Sequence, residues 1–183
     1  EEGWGYYSSG ADDEITLREN HTAFQRVWFK PRVLVNVKEV DISSKILGFG
    51  TSFPVYFTAT ALGKLAHEEG ELAISKAANV SKVIYMLPTL SSYTLDEMLE
   101  VRAPNQVQFG QLYVNSDRSR SREYVERLER GGCKALFITV DAPQLGRREK
   151  DMRNKFTENA NVQKDDDVDR SEGVSKAISA FID

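Results

Sequence analysis

Residues Ala135 to Val140 form an apolar, β-branched run broken only by Thr139, the pattern of a strand buried on both faces in a parallel sheet. Comparable runs begin near Pro54, Val83 and Val107 and recur every roughly 24–29 residues, the length of a βα unit. Between them the periodicity is helical. Glu69 to Asn79 is rich in Ala, Thr94 to Arg102 opens on a Thr-Leu-Asp-Glu capping box, and Arg120 to Arg130 stops at Gly131-Gly132. Strands alternating with single helices imply parallel pairing through right-handed crossovers.

Residues 1–53 lack this alternation. Asp12, Asp13 and Glu14 supply an acidic helix start, and Leu17, His21, Phe24 and Trp28 fall on one stripe of a helix that Pro31 ends. Val33 to Val37 and Ile42 to Leu47 are expected to be short extended pieces bounded by Gly48 and Gly50. Past Asp151 the composition turns polar, so Phe156 to Asp169 is expected to be an exposed loop, and Ser171 to Ile182 regains a helical pattern.

Composition narrows the function classes. The 183 residues are 40% hydrophobic and 28% charged, ordinary values for a folded domain. A net charge of -4, with basic residues interleaved among acids, argues against a nucleic-acid partner. The single cysteine, Cys133, precludes an intrachain disulfide and a cysteine metal cluster. No apolar run approaches the roughly 20 residues of a membrane helix. The chain opens on Glu-Glu-Gly-Trp without Met or a cationic leader, as expected of an excised or processed piece.

Each strand ends in polar or small residues: Thr58-Ala59-Thr60, Thr89, Gln111 with Tyr113, and Thr139 with Asp141. Such a rim is what a barrel active site consists of, although strand-end hydroxyls also satisfy loop backbone. Asp141 could orient a histidine, bind a cofactor hydroxyl or cap the next turn. After the Pro143 and Gly146 loop, Arg148 could grip a carboxylate through a bidentate pair, while Arg147 reads as a solvated charge. His21 lies on the apolar stripe and His67 in a loop. No Walker loop, Gly-x-Gly-x-x-Gly or His-x-x-x-His is present, and no convincing general base.

Six segments together resemble one family. They are residues 6–14 (Tyr-Tyr-Ser-Ser-Gly-Ala-Asp-Asp-Glu), 18–21, 29–34, 59–61, 111–118 (Gln-Leu-Tyr-Val-Asn-Ser-Asp-Arg) and 139–152 (Thr-Val-Asp-Ala-Pro-Gln-Leu-Gly-Arg-Arg-Glu-Lys-Asp-Met). The chain resembles the FMN-dependent 2-hydroxy acid oxidases and dehydrogenases, and leans toward the fungal flavocytochrome-type L-lactate dehydrogenase branch. The resemblance implies a (β/α)8 TIM barrel that binds FMN across the carboxyl ends of its strands.

By position, the resemblance implies that Thr58, Ala59, Thr60 and Ala61 meet the flavin, with Gln111 and Thr139 on its pyrimidine side. Tyr6 and Tyr113 would touch the substrate, Arg148 would approach it, and Asp141 would pair with a catalytic histidine. Pro88 stands where other members carry a flavin-facing Ser, so that hydroxyl contact is lost. A complete barrel takes about 250 residues. Residues 54–183 are therefore expected to be its first half, about four strands, preceded by a helical N-terminal segment, residues 1–53. The family's histidine base, flavin-contacting lysine and phosphate loop would lie beyond Asp183.

These features imply FMN-dependent oxidation of an L-2-hydroxy acid, L-lactate to pyruvate above others, in the complete protein, with the isolated piece inactive. Electrons would pass to oxygen or a cytochrome, and haem would enter only with a separate cytochrome domain. The complete protein is expected to be a homo-oligomer. The yeast branch implies the mitochondrial intermembrane space, and the alternatives are peroxisomal or cytoplasmic. A competing reading is a non-catalytic half-barrel that acts as a binding or assembly module.

Overall fold

Four parallel strands in sequence order carry the fold of this computed structural model, which describes residues 2–142 and 146–153. The strands are β3 (Tyr56–Phe57), β4 (Ile84–Leu87), β5 (Gln108–Leu112) and β6 (Leu136–Ile138). Register pairs Tyr56 with Ile84, Tyr85 with Gln108, and Gly110 with Leu136. Helices α3 (Gly70–Ser81), α4 (Leu95–Glu100) and α5 (Arg118–Arg130) fill the connections, so the alternation read from periodicity is the observed one. The α4 cap is as expected: Thr94 Oγ1 accepts from Glu97 N at 3.3 Å, and the Glu97 carboxylate accepts from Thr94 N at 2.8 Å.

The period of two along each strand divides the core into two faces. Tyr85 and Leu87 point to the helical side and pack with Ala78, Leu95, Met98 and Leu128. Ile84, Met86 and Phe109 point the other way, against Tyr56, Phe137 and Phe49. Phe49 belongs to a hairpin of β1 (Ser44–Ile46) and β2 (Phe49–Thr51), turned by Leu47 and Gly48, both at positive φ. Gly110 lets α5 settle on the sheet, since a Cβ there would lie 2.5 Å from a Leu128 methyl.

Among the described residues the chain divides into two compact units, one from Ser43 through the sheet, the other comprising the residues up to Ile42 together with 146–153. In the second, α1 (Glu2–Ser8) contacts α6 (Glu149–Arg153). Several expectations fail there. The sequence does not signal α1, because Glu-Gly-Trp-Gly-Tyr-Tyr-Ser holds two glycines and no apolar stripe. The stripe helix stops early: α2 spans Ile15–Thr22, and Ala23–Arg26 is a 3-10 turn. Phe24 and Trp28 are exposed, and without described residues packed on that end of the apolar stripe the helix lacks the support that would extend it.

Glu14 sits ahead of α2 in a left-handed conformation, so the acids do not form its first turn. Asp12 and Glu14 hold later basic residues instead. Asp12 Oδ1 pairs with the Arg147 guanidinium at 2.7 Å, and Glu14 with Lys150 Nζ at 2.8 Å. That lysine bond, then the Gly10 amide, lowers the Glu14 pKa.

Val33 to Val37 form no strand. β6 is not buried on both faces: Leu136 and Ile138 remain exposed, because no described residue covers the outer side of this strand. The expectations for Pro143 and for residues 156–182 lie outside the described residues.

Candidate flavin site

Beyond the carboxyl ends of β3 to β6 lies a cavity of about 390 Å³. Its floor is the aromatic face of the sheet, Tyr56 and Phe137 with Met86. The Tyr56 and Phe137 ring centroids are 5.9 Å apart, and Phe137 stacks on Phe109 at 5.6 Å. One wall is the segment leaving β3, where Thr58, Ala59 and Ala61 line the space and Thr60 does not. Pro88 and Leu90, from the segment leaving β4, line it as well.

A hydrogen-bonded chain closes another side and ties three strand ends together. Gln111 Oε1 accepts from Thr89 N at 2.8 Å, and Gln111 Nε2 donates to Thr139 Oγ1 at 2.9 Å. Thr89 Oγ1 donates to the Gln111 carbonyl at 2.7 Å and accepts from Tyr113 N at 3.2 Å. Because Thr139 Oγ1 receives a hydrogen from Gln111, its own proton is not used in that bond, and the Gln111 amide has a second N–H. This edge can donate to carbonyl oxygens of a planar ring. Tyr113 and Asp141 complete the lining, Asp141 being exposed where the strand ends.

Tyr6 and Arg148 belong to the other unit, where they meet: the Arg148 guanidinium carbon lies 4.6 Å above the Tyr6 ring. Arg148 also stands 3.9 Å from Asp151. Burial raises the Asp151 carboxyl pKa, and Arg148 lowers it in part. The two arginines therefore differ in engagement: Arg147 is held by Asp12, and Arg148 rests on an aromatic face. Both histidines are exposed, and His67 Nδ1 accepts from Glu69 N at 3.1 Å. The described residues contain no cluster of His, Cys, Asp and Glu able to hold a metal ion. None of their helices is long and apolar enough to cross a membrane.

The sequence profile of the FMN-dependent dehydrogenases matches residues 1–178. The chain belongs to this family. Among curated relatives, L-lactate dehydrogenase (cytochrome) of Wickerhamomyces anomalus is 55% identical over 179 residues, 97% of this chain and 31% of that protein. The Spinacia oleracea glycolate oxidase is 45% identical over 154 residues, 84% of this chain and 41% of the oxidase. The recombinant flavin-binding domain of baker's yeast flavocytochrome b2 superposes with a TM-score of 0.80 at 50% identity, covering 85% of this chain and 40% of that one. The chain thus spans about a third to two fifths of the family members it matches. Family membership accords with the resemblance carried by residues 6–14, 111–118 and 139–152.

Beyond the residues singled out by motif, Tyr56, Met86 and Phe137 line the cavity. In the sequence they read as ordinary strand residues, and only their alternation toward one face could have placed them on the floor.

Proposed function

We propose that this chain supplies the first four strands of an FMN-binding (β/α)8 barrel, residues 54–183, with residues 1–53 as the segment ahead of it. In the complete protein that barrel oxidises an L-2-hydroxy acid, L-lactate to pyruvate before others. The observation that carries the reading is the cavity over the carboxyl ends of the parallel strands, edged by the bonded Gln111–Thr139 pair. The relatives' names, L-lactate dehydrogenase (cytochrome) and glycolate oxidase, support the substrate class.

The residues fit the isoalloxazine part of FMN. Small side chains at Ala59 and Ala61 leave room for a flat ring, Met86 and Phe137 give it an apolar bed, and Gln111 and Thr139 offer donors to its carbonyl oxygens. The lining holds no Lys or Arg, so the phosphate would be held by residues other than these. When bound, FMN supplies the two-electron acceptor for the substrate.

Within this reading Tyr113 and Tyr6 hydrogen-bond the substrate, and Arg148 pairs with its carboxylate. Asp141 stabilises the charge of a histidine base that this chain does not supply, both of its own histidines being exposed. The acceptor is a cytochrome or oxygen, and the place is the mitochondrial intermembrane space, by likeness to the yeast branch.

Anaerobic addition of L-lactate to the complete FMN-loaded protein is expected to bleach its yellow absorption, with glycolate and mandelate as comparison substrates. A complete protein that binds FMN yet is bleached by no 2-hydroxy acid would overturn the reading.

A further inference from the structure

Glu71, the second residue of α3, is a carboxylate with no solvent exposure that the proposed reaction does not use. One of its oxygens, Oε1, accepts from Gly63 N at 2.7 Å and from Ser92 N at 3.0 Å. Gly63 follows the Thr58–Ala61 wall of the cavity, and Ser92 follows the wall carrying Pro88 and Leu90. A single buried anion therefore joins the segments leaving β3 and β4. It acts from the first turn of a helix, where the dipole favours negative charge. Charge-assisted bonds to backbone N–H groups are about twice as strong as neutral ones.

Neighbouring contacts complete the joint. Leu62, in a left-handed conformation, donates its N–H to the Leu90 carbonyl at 3.1 Å, and Lys64 N donates to Ser92 Oγ at 3.0 Å. The fit at Gly63 is close: a Cβ would come within 2.8 Å of Glu71 N and 3.0 Å of the Glu71 carboxyl carbon.

We infer that Glu71 is a positioning residue for flavin binding, a clamp that sets the separation of the two cavity walls without touching the ring. The inference rests on the FMN reading above. Its structural basis, the two bonds from one oxygen, stands apart from that reading and can be measured without flavin.

The test uses the complete protein carrying Glu71→Ala or Glu71→Gln. In flavin-free protein, amide hydrogen exchange at Gly63 and Ser92 should accelerate in Glu71→Ala, while Phe109 in β5 keeps its protection. The Kd for FMN, read from flavin fluorescence, should rise about ten- to hundredfold in Glu71→Ala. It should rise less in Glu71→Gln, which retains a carbonyl acceptor but not the charge. The KM for the 2-hydroxy acid should stay within about threefold, because the two amides that donate to the carboxylate, those of Gly63 and Ser92, lie outside the cavity lining.

Wild-type FMN affinity in Glu71→Ala, or equal losses in the two variants, overturns the clamp. If Glu71→Ala does not fold, Glu71→Gln decides alone: faster exchange at both amides with weaker FMN binding supports the clamp, and no change in either overturns it. Wild-type protein that binds no FMN, with exchange at Gly63 and Ser92 still set by residue 71, would remove the flavin reading and leave the loop joint.

Discussion

Both ends of the Gln111 amide are tied to neighbouring strand ends, to Thr89 N and Thr139 Oγ1. Gln111→Leu keeps the volume but leaves the half-buried Thr89 N–H without that acceptor, at a cost of about 1–3 kcal/mol. A lower Tm in thermal denaturation, together with FMN binding weakened about tenfold or more in the complete protein, is expected. Cys133 offers a second residue-level test. Burial pushes its thiol up to about 11 from the ordinary 9.0, against the pull of Arg102 and Lys134. At pH 8 it should react with a disulfide reagent at least about tenfold more slowly than a free thiol, since the thiolate is the nucleophile. The raised value also means that this thiol contributes stability below pH 9, lost as the pH rises from 9.0 toward about 11.

The elements differ in how openly the sequence declares them. The α3, α4 and α5 helices and the four parallel strands were legible because periodicity, a capping box and a glycine stop all pointed the same way. Thr94→Ala should accordingly cost about 1 kcal/mol by removing the cap from Glu97 N, seen as a lower midpoint in urea denaturation. Gly110→Ala places a methyl against Leu128, which is itself buried, and should cost about 1–3 kcal/mol by overpacking, read by the same titration.

The first 42 residues were poorly legible, since an apolar stripe shows where a helix could bury a side and not whether anything packs there. Leu17, Phe24 and Trp28 illustrate this. The rim at Thr58, Gln111 and Thr139 was readable from strand ends. Glu71 was not, because one glutamate among helix formers looks like a solvated charge until burial is known.

For the whole molecule, the candidate residues divide between the two units. Those proposed to meet the flavin belong to the unit that contains the sheet, as do Tyr113 and Asp141, whereas Tyr6 and Arg148 belong to the other. The 183-residue chain by itself, mixed with FMN and L-lactate under anaerobic conditions, is expected to leave the flavin absorption unchanged, since neither His21 nor His67 sits among the cavity residues. Stopped-flow absorbance would record bleaching if this expectation failed.

The same division governs what light reports about this chain. Its two tryptophans, Trp4 and Trp28, lie in the unit without the sheet, and both are largely open to water. Indole emission from the native chain should already sit near the wavelength of a hydrated indole, so melting of the parallel sheet will scarcely move it. Ellipticity in the far ultraviolet, or the near-ultraviolet signal of buried Tyr85, will register the sheet where indole fluorescence is blind.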